Sequence, residues 1–122
     1  MTESNEVLNF WFEEIEPSQW WTKDLKFDQM IRQRFVDLHL AANRCELSHW
    51  RSTPEGRLAE IIVLDQFSRN MFRDSADGFS TDHLAVQIAE KAVDSELDLQ
   101  LTEEQRAFLY MPFMHSEDLA HQ

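Results

Sequence analysis

The sequence predicts an all-α fold, and three observations predict it. Only two Gly and three Pro occur in 122 residues, too few to punctuate a many-stranded β fold. Apolar residues recur three and four positions apart in one stretch after another, the spacing of a helix that buries one face. Nine Phe and four Trp, each able to bury roughly 150–250 Å², supply the core those faces need. The length suits a single helical domain spanning residues 1–122.

Each element follows from local signals. The first helix reads from Glu3 to Ile15, with Leu8, Trp11, Phe12 and Ile15 as its stripe and Val7 and Phe10 widening it; Pro17 ends it. Trp20 and Trp21 fall in a turn, placed to plug a gap between helices or to stack on a ligand. Asp24 caps a long second helix running to Cys45, whose apolar face is Phe27, Ile31, Phe35, Leu38 and Ala42. Thr53-Pro54-Glu55 starts the third helix, with a hydroxyl cap, Pro in the first turn and an acid near the dipole. That helix runs to Phe72 and is apolar all round at Ile61-Ile62-Val63-Leu64, so it passes through the core; a buried strand is the alternative there. A loop from Asp74 to Phe79 leads to a fourth helix capped by Ser80 or Thr81, with Leu84, Ala85, Ile88, Ala89, Ala92 and Val93 inward. Thr102 and Gln105 form a capping box for the fifth, which Pro112 kinks or ends. Phe113 to Gln122 reads as helical again, giving five to six helices in all.

Charge narrows the partners. Eleven Lys and Arg stand against 23 Asp and Glu, a net charge of −12. A field of that sign repels phosphate backbones, so nucleic acid and anionic membrane are poor partners. No 18-residue apolar run occurs, and Met1-Thr2-Glu3-Ser4 lacks the basic start of a signal peptide. A single cysteine, Cys45, cannot form an internal disulfide and reads as structural. Together these lead to the expectation of a soluble cytoplasmic protein. No Gly-rich phosphate loop, GxSxG elbow or HExxH motif is present, so no cofactor and no metal are expected.

Two polar phrases carry the chemistry. In Asp65-Gln66-Phe67-Ser68-Arg69-Asn70-Met71-Phe72-Arg73 an oily helix abruptly turns polar. Asp65 and Arg69, Gln66 and Asn70, and Arg69 and Arg73 are each four apart, hence neighbours on a helix. Charges carried into a half-buried place need partners. Either they tie helices together, or Arg69 and Arg73, with Gln66 and Asn70, grip a carboxylate or phosphate. The second phrase is His115-Ser116-Glu117-Asp118. Its imidazole beside carboxylates is raw material for a general base, with Asp118 or Glu117 orienting the ring and Asp65 contributing. It also reads as an ordinary helix start, Ser116 capping and the acids facing the dipole. His39, His49 and His83 stand alone and read as surface residues.

Four phrases together, Val7-Leu8-Asn9-Phe10-Trp11-Phe12, Phe27-Asp28, Leu64 through Arg73 and Pro112 through Asp118, resemble an uncharacterised family of small bacterial proteins, domain of unknown function nine-two-four. The likeness covers nearly the whole chain, in order. It implies an antiparallel, tetratricopeptide-like array of helices and attaches no activity. It also implies that Asp65, Gln66, Arg69, Asn70, Arg73, His115, Glu117 and Asp118 are among the family's characteristic positions. Family members continue past the His-Ser-Glu-Asp phrase, so a chain ending at Gln122 is expected to lack a C-terminal segment and to cover the exposed face by forming a homo-oligomer.

Three functions remain in play. The first is a binding module for a small anionic molecule or peptide, gripped by Arg69 and Arg73 with Trp20 or Trp21 as a wall. The second is a hydrolase-like enzyme using His115 with Asp118 or Glu117. In the third, both phrases serve only to knit helices together.

Overall fold

The computed structural model describes residues 3–116. Among them no strand forms, and the architecture is five helices with 3₁₀ turns in the connections.

Helix α1 comprises Ser4–Asn9 and continues as a π turn over Phe10–Glu14. A π turn acts like one residue inserted into an α-helix, which rotates every later side chain by about 100°. The buried set is accordingly Val7, Phe10, Trp11 and Ile15, while Leu8 and Phe12 are only partly buried. The wider edge of the expected stripe has become its centre.

Helix α2, Leu25–Asn43, is capped by Asp24, which accepts from the backbone N–H groups of Lys26 and Phe27. All five residues of the expected face are buried. So are Asp28 and His39, which corrects the surface assignment of His39; it packs edge-on to Phe72, with ring centroids 5.5 Å apart. The helix stops two residues short of Cys45. Cys45 takes a left-handed conformation (φ 59°), and its N–H and that of Glu46 bond to the carbonyls of Ala42 and Ala41. This is a Schellman termination with Cys in the usual glycine position.

Helix α3 is the hub. It runs as Pro54–Ile62, a π turn over Val63–Phe67, then Ser68–Met71. The other four helices pack on it: α1 and the two helices that follow mainly on its first part, α2 on its last. Leu58, Ile61, Ile62, Val63, Leu64 and Phe67 are sealed from solvent, as a helix apolar all round requires. Thr53 caps it through its hydroxyl to Gly56 N, with Pro54 in the first turn.

Helix α4 spans Asp82–Asp94. Thr81 precedes it, yet its hydroxyl donates to the Leu64 carbonyl at 2.6 Å instead of capping the helix. The side-chain cap expected from Ser80 or Thr81 is absent: the Thr81 hydroxyl is turned to a buried carbonyl of α3, and that of Ser80 donates to the Asp77 carbonyl. Inward residues are Ala85, Val86, Ile88, Ala89 and Ala92; Leu84 is half-buried and Val93 exposed.

Helix α5, Glu103–His115, opens with the Thr102–Gln105 capping box and carries Pro112 inside it. Proline removes one backbone bond without ending the helix. His115 is its last residue, and Ser116 follows with extended backbone. No helix among the described residues is long and apolar enough to cross a membrane.

Candidate functional site

Asp65 lies in the π turn of α3 and faces the last residue of α5. Its carboxylate is fully buried, and a buried carboxylate persists only if its lone pairs are satisfied. They are. Oδ1 accepts from Arg69 Nη1 at 2.7 Å and lies 2.8 Å from His115 Nδ1, and Oδ2 accepts from Gln66 Nε2 at 3.1 Å. Opposite an ionised acid, Nδ1 of a neutral ring must be the protonated nitrogen. Nε2 then carries the lone pair, and no described residue bonds to it.

Arg69 is shared between two acids. It donates to Asp65, and its fork meets Asp82, in the first turn of α4, at 3.0 and 2.9 Å. The guanidinium also lies 5.2 Å from the centroid of Phe79, a cation–π distance. One cation thus clamps the helix that carries Asp65 to the helix that follows it. Arg69, Phe79, Asp82, His83, Val86, His115 and Ser116 line an open cleft of about 700 Å³, a size common for small-molecule sites.

The rest of the first polar phrase goes elsewhere. Asn70 Nδ2 donates to Asp28 Oδ1 at 2.9 Å, and Arg73 makes a two-pronged bond to Asp28 at 2.6 and 3.1 Å. That bond raises the Arg73 pKa, burial opposing it. The divergence has a local cause. The helix ends at Met71 and Phe72 leaves helical geometry, so Arg73 is no longer stacked over Arg69. Both guanidiniums expected to hold an anion are therefore engaged by carboxylates.

Trp20 and Trp21 do not line the cleft. Trp20 donates from Nε1 to the Trp11 carbonyl at 2.9 Å and stacks on that ring at 6.2 Å. Trp21 is 64% exposed and lies parallel to Phe108 at 5.7 Å. Together they close the aromatic core between α1 and α5. Glu117 and Asp118, expected to orient His115, lie outside the described residues; Asp65 orients it from Nδ1.

Sequence reasoning missed Asp82, Phe79, His83 and Val86 on the cleft, and Asp28 beneath Arg73. An acid in a helix's first turn is what the dipole favours anyway, so Asp82 gave no signal, and Asp28 stood out only through the family resemblance. Among the described residues no three His, Cys, Asp or Glu side chains gather as a metal-binding group.

No curated protein matches the sequence. The solved structure of a protein of unknown function, ATU0120 from Agrobacterium tumefaciens, is similar to it: TM-score 0.92 and 40% identity over 97% of this chain. The present chain spans 66% of that protein's length. Residues 7–122 match the model for DUF924, described as a bacterial protein of unknown function, and the chain belongs to that family.

Proposed function

We propose that this protein is a binding module whose cleft between α3, α4 and the end of α5 receives a small polar molecule or a peptide end, with His115 as the central recognition group. One observation carries the reading: the fully buried carboxylate of Asp65 holds His115 Nδ1 at 2.8 Å on the wall of a cleft of about 700 Å³. A ring locked in one tautomer offers Nε2 to a ligand without paying reorientation entropy. An anionic group on the ligand reaches Arg69 only by exchanging with Asp82. The matching ligand thus brings a donor (hydroxyl, amide or ammonium) to Nε2 and the Asp82 carboxylate, with any anionic group at the Arg69 edge. A tetratricopeptide-like array of helices, which the family resemblance implies, would favour a peptide as one such ligand.

The same pair favours a second reading. A carboxylate on one imidazole nitrogen and an open cleft beside the other is the arrangement of a general base, as the hydrolase reading requires. Among the described lining side chains only Ser116 is a hydroxyl nucleophile.

A fragment library screened by amide NMR tests the proposal. Shifts at Arg69, Phe79 and Val86 are expected in the wild type and not in His115→Ala. Fragments that bind both proteins equally, or that never perturb these residues, overturn it; turnover of an ester or amide fragment that disappears in His115→Ala selects the enzyme. Self-association belongs to the same reading: Leu25, Val36 and Leu40 are exposed on α2 at helical spacing on one face, and a monomeric sedimentation profile at high concentration ends it.

A further inference from the structure

A second cavity, of about 350 Å³, lies on the other side of α4. Leu84, Gln87, Ile88 and Lys91 form its α4 wall; Arg57 from α3, Arg51 from the 3₁₀ turn Ser48–Ser52, and Cys45 complete it. In a chain of net charge −12 with only 11 basic residues, three of them converge here, and among the described residues no carboxylate lines the cavity.

The three cations are not equivalent. Arg51 is neutralised from behind, its Nε and Nη2 each donating to the buried Glu60 carboxylate at 2.8 Å. Lys91 is exposed. Arg57 is the anomaly: Nε and Nη1 are sealed from solvent and have no hydrogen-bond partner, and no described acid pairs with the group. A largely buried guanidinium without a counter-charge is costly. Arg57 lines the cavity, so a counter-ion seated there would meet this guanidinium.

We propose that this cavity binds a compact oxyanion, a phosphate or phosphomonoester, against Arg57 and Lys91. The charge count favours phosphate over a carboxylate. With Arg51 paired to Glu60, the uncompensated charge is that of Arg57 and Lys91, and a phosphate carries about −1.5 to −2 near neutrality, its second pKa being about 6. A planar guanidinium suits such oxygens, while Leu84 and Ile88 offer an apolar wall to an organic substituent. The proposal does not rest on the reading of the Asp65 cleft; different faces of α4 line the two cavities.

Cys45 supplies the reporter. It is exposed, is the chain's single cysteine and sits on the cavity rim, so alkylation by iodoacetamide reads occupancy directly. Inorganic phosphate and glycerol 3-phosphate, each compared with chloride at matched ionic strength, are expected to slow alkylation and to raise Tm. Full shielding gives about tenfold slowing once the ligand stands at ten times its Kd. Tighter binding of glycerol 3-phosphate identifies a monoester site; equal binding identifies free phosphate. Arg57→Met is expected to abolish the protection and Lys91→Met to weaken it, while His115→Ala leaves it intact. Unchanged alkylation and Tm at millimolar phosphate overturn the proposal, as does full protection in Arg57→Met. Should Arg57→Met fail to fold, equal protection in Lys91→Met and the wild type overturns it instead.

Discussion

Asp65 and His115, 50 positions apart in the chain, meet with 2.8 Å between Oδ1 and Nδ1, and Arg69 donates to that same oxygen at 2.7 Å. Because Arg69 also grips Asp82, the Asp65–Arg69 pair ties α3 to the start of α4 and to the end of α5. The site and the fold therefore share atoms, and substitutions there separate the two roles only if chosen for it.

Asp65→Asn is the first such substitution. It removes the charge that Arg69 and His115 face while keeping the volume. Breaking a buried pair from one side typically costs about 3–5 kcal/mol; Arg69 keeps Asp82, so about 3 kcal/mol is expected in urea unfolding. In the same variant, nitrogen-15 imidazole spectra should show His115 losing its single-tautomer signature. An unchanged tautomer would mean that Asp65 does not orient the ring.

His115→Ala leaves Asp65 bonded to Arg69 and Gln66. Only one hydrogen bond is lost, so the expected destabilisation is about 1 kcal/mol, visible as a small Tm shift. A loss as large as that of Asp65→Asn would move the pair from recognition to scaffolding.

Arg73→Met tests the neighbouring cluster. Asp28 would keep Asn70 but lose its cation, and Arg73 is partly exposed, so a loss of about 1–3 kcal/mol is expected. Fragment shifts in the Asp65 cleft should be unaltered. Altered shifts there would show that the two clusters work as one.

Gly56→Ala tests packing at the start of α3. A Cβ at this position would stand 1.8 Å from the Trp50 carbonyl oxygen, which is backbone and must move. Overpacking of this kind costs about 1–3 kcal/mol or more, and thermal melts should show it. A neutral substitution would mean that the Ser48–Ser52 turn yields freely.

His39 predicts a pH dependence. Burial holds its pKa below the ordinary 6.5, and its Nε2 has no partner among the described residues. As pH falls below 6.5 the unfolded chain takes up the proton first. The stability present above 6.5 is therefore lost progressively toward the folded-state pKa. His39→Leu should flatten this part of the Tm profile between about pH 7.5 and about pH 5; parallel profiles for the two proteins would contradict it.

Helix identity and three of the expected caps were legible in the sequence; the Ser80 or Thr81 cap was not borne out. Asp24, Thr53 and Thr102 cap as their local chemistry demands, and Phe27, Ile31, Phe35, Leu38 and Ala42 form one buried face. These features depend on residues within one or two turns of each other, which spacing encodes directly. The two π turns were not legible, since a one-residue slip in hydrogen bonding leaves composition and local propensity unchanged. Hence the centre of the α1 stripe moved.

Partner choice belonged to the tertiary structure. Spacing put Asp65 beside Arg69, but it could not say that Arg73 would turn to Asp28, that Arg69 would reach Asp82, or that Arg57 would be left without an acid. Such pairings depend on where each helix stops and how it is rotated against its neighbour, and both are set by core packing among residues far apart in the chain. The sequence by itself determined an α-helical chain with two polar phrases. Only the packed fold decided which charges meet, because a charged group can reach only the partners that the buried apolar faces bring within a few ångströms.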